Sequence, residues 1–152
     1  MKDLPPRVQV VEVGPRDGLQ NEPARIATAD KIAFVNRLAE AGHSIVEVSA
    51  FVSPKWVPQM ADASEVFASI ARKPGVRYTA LVPNLAGLTR AREARVDEIA
   101  IFAAASETFS KRNINQTIDE SLDTYKAGTV RALLGGPPVS RGAGIWLDEE
   151  FV

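Results

Sequence analysis

The stretch V-Q-V-V-E-V-G-P-R-D-G-L-Q-N-E-P, residues 8–23, decides the fold. Its first six residues are rich in β-branched side chains, which favour a strand, and Gly14-Pro15 ends that run and opens a polar loop. Thr28 can then cap a helix that Gly42 stops. The apolar positions Ile32, Val35, Leu38 and Ala39 fall on one face of that helix. The order of strand, loop and helix predicts a βα unit.

The same order returns three times downstream. Strands are predicted at residues 45–49, 77–82 and 97–102, and helices at residues 63–73, 85–95 and 117–127. The last helix begins at Thr117 with T-I-D-E, which has the spacing of a capping box. Four βα units thus occupy residues 7–127, which we assign to one domain. Residues 128–152 follow neither the helical nor the strand period for long, so we predict an irregular tail.

Alternation of strands and helices predicts an α/β fold with a parallel sheet, either doubly wound or closed into a barrel. The chain lacks the glycine patterns of dinucleotide and nucleoside-triphosphate sites, which weakens the doubly wound nucleotide-binding alternative. A partial TIM (β/α)8 barrel is therefore the favoured architecture. A complete barrel has eight such units and typically about 250 residues, so four units amount to half of one.

Composition narrows the range of functions. With 152 residues, of which 45% are hydrophobic and 24% charged, the chain has the make-up of one soluble globular domain or a piece of a larger one. A net charge of −1 offers no general attraction to phosphate backbones or anionic lipid, and no stretch approaches the roughly 18–20 apolar residues of a membrane span. We therefore expect a small-molecule substrate, with no nucleic acid and no membrane as partner. The absence of cysteine and the single histidine, His43, exclude thiolate sites and any site that needs two histidines.

Candidate functional residues follow the first two predicted strands, because the chemistry of α/β sheets collects at the carboxyl ends of strands. Arg16 and Asp17 lie in the first such loop, with Gln20 close behind. A carboxylate there is a ligand for a hard cation, and a guanidinium is a fixed fork of donors for an oxyanion. Glu47 is an acid inside the apolar strand I-V-E-V-S, where it needs a partner, and Arg16 is the obvious one. The alternatives are a simple loop ion pair or an Asx turn for Asp17, and a wet sheet edge for Glu47.

Three further features have structural interpretations. We expect Trp56, which lies beside Lys55 between two prolines, to pack against the protein. We interpret residues 103–115 as a solvated polar loop that carries two cations. His43 precedes the second strand and so belongs to the opposite end of the sheet from the site.

Three long motifs stand out in the chain: V-G-P-R-D-G-L-Q-N-E at residues 13–22, S-A-F-V-S-P-K-W-V-P-Q-M-A-D at residues 49–62 and F-A-A-A-S-E-T-F-S-K-R-N-I-N at residues 102–115. Together they resemble 3-hydroxy-3-methylglutaryl-CoA lyases. The similarity runs from about residue 8 to residue 126 and implies the N-terminal half of a TIM-barrel lyase. By this resemblance the reaction is a metal-assisted retro-Claisen cleavage of hydroxymethylglutaryl-CoA to acetyl-CoA and acetoacetate, with Mg²⁺ or Mn²⁺ as cofactor and an acyl-CoA thioester as substrate. It also implies a place in leucine degradation or ketone-body formation.

The resemblance implies a role for each candidate residue. Asp17 matches the metal ligand of the first strand, and Arg16 matches the catalytic arginine that binds the thioester or enolate oxygen of the substrate. Gln20 and Glu47 match catalytic positions that line and support the same pocket. A hard cation prefers oxygen ligands and a developing oxyanion prefers a preorganised cation, so these roles suit the residue types.

Departures from the family bear on activity. The family draws further metal ligands from a His-x-His and a later asparagine, and an acid from a cysteine in a glycine-rich loop, none of which is present in this chain. Ala50 stands where the family usually has a hydroxyl residue. The change of pattern after residue 127 suggests a frameshift or a truncation, and we expect this chain to be inactive alone. Self-association, pairing with a full-length lyase as a non-catalytic half barrel, and the activity of a related acyl-CoA lyase or condensing synthase stay open. The N-terminus lacks a signal or transit pattern, which predicts a cytoplasmic location.

Overall fold

The computed structural model of the protein describes residues 6–133 and 139–141, and the side chains of residues 6–126. Its strands are β1 (Ile45–Ala50), β2 (Arg77–Leu81), β3 (Glu98–Ile101) and β4 (Val139–Arg141). Its α-helices are α1 (Thr28–Glu40), α2 (Ala63–Ser69), α3 (Leu85–Glu93), α4 (Glu107–Ile114) and α5 (Ile118–Leu133). A π-helical turn covers Gly14–Gly18 and a 3-10 turn covers Pro58–Met60. None of the helices in these ranges is long and apolar enough to cross a membrane.

The strands form one parallel sheet in the order β1-β2-β3-β4, which confirms the predicted α/β architecture. The strand predicted at residues 8–13 is much reduced, because only Glu12 pairs, in parallel, with Val46 on the outer side of β1. The valines around it are exposed: Val8, Val10, Val11 and Val13. Strand preference reflects packing against neighbours, and here the described residues cover one side of this segment only.

The main hydrophobic core lies between the sheet and its helices. From the sheet it takes Val46, Val48, Tyr78, Ala80 and Ile99, and from the helices chiefly Val35, Ala39, Val66, Phe67, Leu88 and Ala91. The buried positions of α1 are Lys31, Val35 and Ala39, whereas Ile32 and Leu38, which the sequence placed inward, pack at the margin. The side chains recur at intervals of four residues, as expected for a helix packed along one face.

The sheet also buries polar side chains. Glu47 of β1 is in register with Thr79 of β2, and Thr79 is in register with Glu98 of β3, so the three lie in one row across the sheet. The register shifts between Glu47 and Ser49, so that Ser49 pairs with Ala80.

The chain after β3 is more regular than its sequence suggested. Residues 107–114, part of the segment read as a polar loop, form α4, because the Ser106 hydroxyl accepts a hydrogen bond from the Phe109 amide and Asn115 ends the helix in the left-handed region. Within the tail predicted to be irregular, α5 continues to Leu133 and β4 pairs in parallel with β3. The rest of that tail, residues 134–138 and 142–152, lies outside the described residues.

The predicted capping box at the start of α5 is present. The Thr117 amide donates to Glu120 Oε2 at 2.7 Å, and the Glu120 amide donates to Thr117 Oγ1 at 3.1 Å. The hydrogen bonds from Thr117, together with the charge of Lys111, hold the pKa of Glu120 below its usual value. Two reciprocal bonds thus satisfy donors that the first turn of a helix would otherwise leave unpaired.

Candidate active site

The π-helical turn at Gly14–Gly18 presents the first two candidate residues at the edge of β1. The amides of Arg16 and Asp17 both donate to the Val13 carbonyl, at 3.1 and 2.7 Å. The Gly14 amide donates to Glu12 Oε1 at 2.6 Å, and a Cβ at Gly14 would lie only 2.8 Å from that oxygen. A side chain at position 14 would therefore displace the Glu12 carboxylate from the Gly14 amide. Turns of the π-helical type are frequent at functional sites.

Arg16 connects the other two charged candidates. Its Nε donates to Glu47 Oε1, and its Nη1 donates to Asp17 Oδ1 at 2.7 Å. The contact between Arg16 and Glu47 that the sequence predicted is therefore present. Among the described residues, none bonds the Nη2 group of Arg16, which leaves two N–H donors directed at neither carboxylate.

The three side chains differ in their access to solvent. The Glu47 side chain is 7% exposed, the Arg16 side chain 18% and the Asp17 side chain 36%. The wet-edge alternative for Glu47 is therefore wrong, because the carboxylate is buried and paired. One guanidinium faces two carboxylates, so the cluster carries one uncompensated negative charge at its most exposed member, which favours a bound cation.

Gln20 lies just beyond the turn and is half-buried. The hydrogen bonds of the described residues do not join it to Arg16, Asp17 or Glu47. The structure thus brings three of the four predicted site residues into one hydrogen-bonded cluster and leaves the fourth next to it along the chain. Their catalytic roles stay predictions.

The loop after β1 contributes residues that sequence reasoning missed. Gln59 is buried, and its side-chain amide bonds the backbone of the loop that follows the turn. Lys31 and Asp62 form a buried ion pair, with Nζ 2.8 Å from Oδ1. A signal for Lys31 exists, because it lies four residues before Val35 on the buried face of α1, where a lysine needs a partner. Nothing in the local pattern identifies Asp62 as that partner.

Two large side chains at the tip of this loop are exposed. Trp56 is 86% exposed, so the expectation that it packs against the protein is wrong for the described residues. Two prolines hold the local backbone, and the Trp56 amide donates to the Ser53 carbonyl in a tight turn that directs the indole away from the sheet. Lys55 beside it is exposed as well.

A complete metal site is not formed by the residues that the structure describes. Among them, no group of three or more histidine, cysteine, aspartate or glutamate side chains could hold a metal ion. Asp17 can offer one accessible carboxylate oxygen, whereas Glu47 is engaged by Arg16. The donors fit one part of an oxygen-rich cage, since Mg²⁺ and Ca²⁺ sites take six or more ligands.

Comparison with known proteins gives consistent results. The family model described as HMGL-like matches residues 7–133. The Pseudomonas aeruginosa 3-hydroxy-3-isohexenylglutaryl-CoA/hydroxy-methylglutaryl-CoA lyase is 58% identical over 123 residues, which cover 81% of this chain and 41% of that protein. The cytoplasmic 3-hydroxy-3-methylglutaryl-CoA lyase of Rattus norvegicus is 55% identical over 126 residues, which cover 83% of this chain and 37% of that protein.

Solved structures agree. The crystal structure of hydroxymethylglutaryl-CoA lyase from Pseudomonas aeruginosa superposes with a TM-score of 0.87 at 53% identity, over 92% of this chain and 47% of that one. The Acinetobacter baumannii HMG-CoA lyase in complex with coenzyme A and 3-methylmalate gives a TM-score of 0.85 at 36% identity, over 89% and 44%. The fold is thus a partial TIM barrel, and the chain spans about two-fifths of the length of the curated relatives that it matches.

Proposed function

This chain belongs to the HMGL-like family, and from that premise we propose that it supplies the N-terminal half of a carbon-carbon lyase. The reaction is the retro-Claisen cleavage of 3-hydroxy-3-methylglutaryl-CoA to acetyl-CoA and acetoacetate. The names of the relatives support the reaction, and the match over residues 7–133 supports the share of the barrel that this chain contributes.

The observation that carries the proposal is the position of Arg16 between two carboxylates. Glu47 and Asp17 each accept a hydrogen bond from the guanidinium, which fixes its plane, while no described residue occupies its Nη2 donors. A preorganised cation costs no reorganisation when negative charge develops on a thioester oxygen, so this arrangement suits the stabilisation of an enolate. In the proposal Arg16 binds that oxygen, Glu47 holds Arg16 in place, and Gln20 lines the pocket.

We propose Asp17 as one ligand of a divalent cation, Mg²⁺ or Mn²⁺. Its carboxylate is the most exposed of the cluster, and the cluster has one negative charge in excess. When bound, the cation would act as a Lewis acid on the oxygens of the substrate. Its other ligands would come from outside the described residues, because these offer no group of three ligating side chains.

The test measures acetoacetate formed from 3-hydroxy-3-methylglutaryl-CoA in the presence of Mg²⁺ or Mn²⁺. We expect none above background from the 152-residue chain alone. Co-expression with the remaining three-fifths of the Pseudomonas aeruginosa relative should complete the barrel and restore turnover. In that assembly Asp17→Asn should lower kcat/KM by at least about 100-fold, because loss of an ionic ligand or donor at a reacting centre costs about 10²–10³.

Asp123→Asn is the matched control. Asp123 is exposed on α5 and, among the described side chains, pairs with Lys126 alone, so this variant should keep the activity of the assembly. Acetoacetate from the 152-residue chain alone would contradict the proposed inactivity. An active assembly that tolerates Asp17→Asn as well as the control would contradict the role of Asp17.

A related substrate is the second candidate. The Pseudomonas aeruginosa relative carries both 3-hydroxy-3-isohexenylglutaryl-CoA and hydroxymethylglutaryl-CoA in its name, so another acyl-CoA lyase activity is within reach of this family. The same assembly assayed with both thioesters distinguishes them. A kcat/KM at least tenfold higher for the isohexenyl substrate would assign the chain to that reaction.

We also propose that the chain associates with itself or with a full-length lyase through the segment around Glu12. This segment exposes four valines and pairs with the sheet through a single residue, and unpaired edges and apolar patches promote association. Light scattering after size-exclusion chromatography should detect dimers or larger species. A stable monomer with a sharp thermal transition, and no co-purification with an intact lyase, would contradict this. A half barrel that associates without turnover is the non-catalytic alternative.

A cytoplasmic location and a place in leucine degradation or ketone-body formation complete the proposal. The support for the location is the rat relative, which is named as cytoplasmic, although other relatives are named as mitochondrial. Fractionation of cells that express the tagged chain tests it, and recovery with mitochondria would refute it. The proposed pathway rests on the identity of the reaction products, acetyl-CoA and acetoacetate, alone.

A further inference from the structure

The Gln59 side chain bonds one loop at three points. Its Nε2 donates to the Leu19 carbonyl at 3.2 Å and to the Ala24 carbonyl at 2.9 Å, and its Oε1 accepts from the Ile26 amide at 3.2 Å. These bonds use both amide donors and the oxygen of a side chain that is 9% exposed. A buried amide so engaged stabilises one conformation of the loop at residues 19–26.

The same loop continues directly from the turn that bears the candidate site. Leu19 follows Gly18, and its amide donates back into the turn, to the Gly14 and Arg16 carbonyls. The carbonyl of Leu19 is held by Gln59. One residue is thus bonded on its amide side by the turn and on its carbonyl side by Gln59, and Gln20 follows it immediately.

A second set of contacts holds the backbone of Gln59 in place. The Lys31 ammonium donates to the Gln59 carbonyl and to both carboxylate oxygens of Asp62, and the Thr28 hydroxyl donates to Asp62 at 2.9 Å. This joins the 3-10 turn of Gln59 to the first turn of α1, which is packed on the sheet. Through these contacts the loop at residues 19–26 is connected to α1 and so to the packed core of the fold.

We propose that Gln59 is a positioning residue for Asp17 and Gln20. It acts through Leu19 and touches none of the reacting groups. The inference rests on the proposed function, because it supposes that Asp17 and Gln20 serve a lyase. Removal of the Gln59 amide should leave the sheet folded and release the Gly14–Gly18 turn.

The test is amide hydrogen exchange by NMR on the full 152-residue chain, with Gln59→Glu and with Gln9→Glu as the matched control at an exposed position. At neutral pH a carboxylate cannot donate to the Leu19 and Ala24 carbonyls. Protection factors of the Leu19 and Asp17 amides should fall by about tenfold or more, since one lost hydrogen bond is worth about a factor of 10 in a local equilibrium. The Ile26 amide keeps an acceptor in this variant, because a carboxylate oxygen can replace the amide oxygen of Gln59. The Tyr78 amide in β2 should keep its protection. Near pH 4 the protonated acid can donate again, so part of the lost protection should return.

Gln59→Met keeps the test decisive if the charge itself unfolds the chain, because it removes the amide without adding a carboxylate. It should release the loop at every pH, with no return on acidification. Protection that falls at Ile26 but not at Asp17 would overturn the positioning role, and so would a uniform fall that includes Tyr78.

Activity of the co-expressed assembly separates the two hypotheses. Gln59→Glu should raise the Mn²⁺ concentration for half-maximal activity by about 10–100-fold, the range for groups that orient a metal ligand. A wild-type assembly without lyase activity would refute the proposed function and leave the exchange result standing. An active assembly with unchanged Mn²⁺ dependence and unchanged protection would refute only the role of Gln59.

Discussion

Replacement of Lys31 by methionine tests how much the ion pair between Lys31 of α1 and Asp62, which directly precedes α2, contributes to stability. Its Nζ lies 2.8 and 2.9 Å from the carboxylate oxygens of Asp62, and the side chains are 7% and 16% exposed. Removal of one partner of a buried pair costs about 3–5 kcal/mol, because an uncompensated charge is left behind. Asp62 keeps some solvent access and the hydrogen bond from Thr28, so we expect a loss of about 2–3 kcal/mol in the free energy of unfolding.

Urea unfolding of the 152-residue chain, followed by circular dichroism, gives this free energy. Lys31→Met with Asp62→Leu removes both charges, and since apolar replacement of an entire buried pair is often neutral, the double variant should recover at least half of the loss. Lys126→Met is the matched control, because its pair with Asp123 is exposed; it should cost less than about 0.5 kcal/mol. The Asp62→Leu single variant is measured as well. The reasoning would be refuted by a Lys31→Met variant as stable as the control, or by a double variant whose loss equals the sum of the Lys31→Met and Asp62→Leu losses.

Three other substitutions or titrations test local features. Ser110 is fully buried and its hydroxyl has no partner among the described residues, so Ser110→Ala should add about 1 kcal/mol to the free energy of unfolding; a lower thermal midpoint would contradict this. A methyl group at Gly87 would lie 2.5 Å from the Phe51 carbonyl oxygen, so Gly87→Ala should cost about 1–3 kcal/mol in urea unfolding, and full stability would show that α3 can shift freely. Hydrogen bonds from Thr117 lower the pKa of Glu120, so its contribution to stability is complete above the ordinary carboxyl pKa and is lost as pH falls through the lowered value. An NMR titration should place the Glu120 midpoint below that of a free glutamate, and Glu120→Gln should abolish this part of the pH dependence; a midpoint at the ordinary value would refute the capping account.

Features set by neighbouring residues were predictable from the sequence. The capping box at Thr117 is an example, because donor and acceptor lie three residues apart on one chain segment. Strands β1, β2 and β3 were predicted within a residue or two, since each is a short apolar run between clear breaks. The segment around Glu12 has the same local pattern but little ladder, because pairing depends on what lies alongside it.

Features set by distant residues were predictable only in part. The partner of Glu47 could be inferred, because parallel strands bring their carboxyl ends together and Arg16 follows the neighbouring predicted strand. Gln59 could not, since its three bonds go to backbone atoms and leave no trace in side-chain pattern. Helix α4 was missed because it is only eight residues long and mostly polar, with ends marked by Ser106 and Asn115.

The order of the candidate site comes from restraints within the described residues. The Val13 carbonyl accepts hydrogen bonds from two amides of the turn. Glu47 of β1 accepts one from the Arg16 guanidinium, and the Gln59 side chain bonds the loop that follows. Each restraint comes from a different segment, and these segments pack on β1 or α1, so the Arg16 donors keep their direction without any contact from the far side of a barrel. A cation needs more than this, because Asp17 offers a single accessible carboxylate. In the proposed function, binding of the substrate oxyanion would therefore rest on Arg16 as this chain holds it, whereas binding of the cation would need ligands beyond the described residues. The two contributions can be measured separately in the co-expressed assembly.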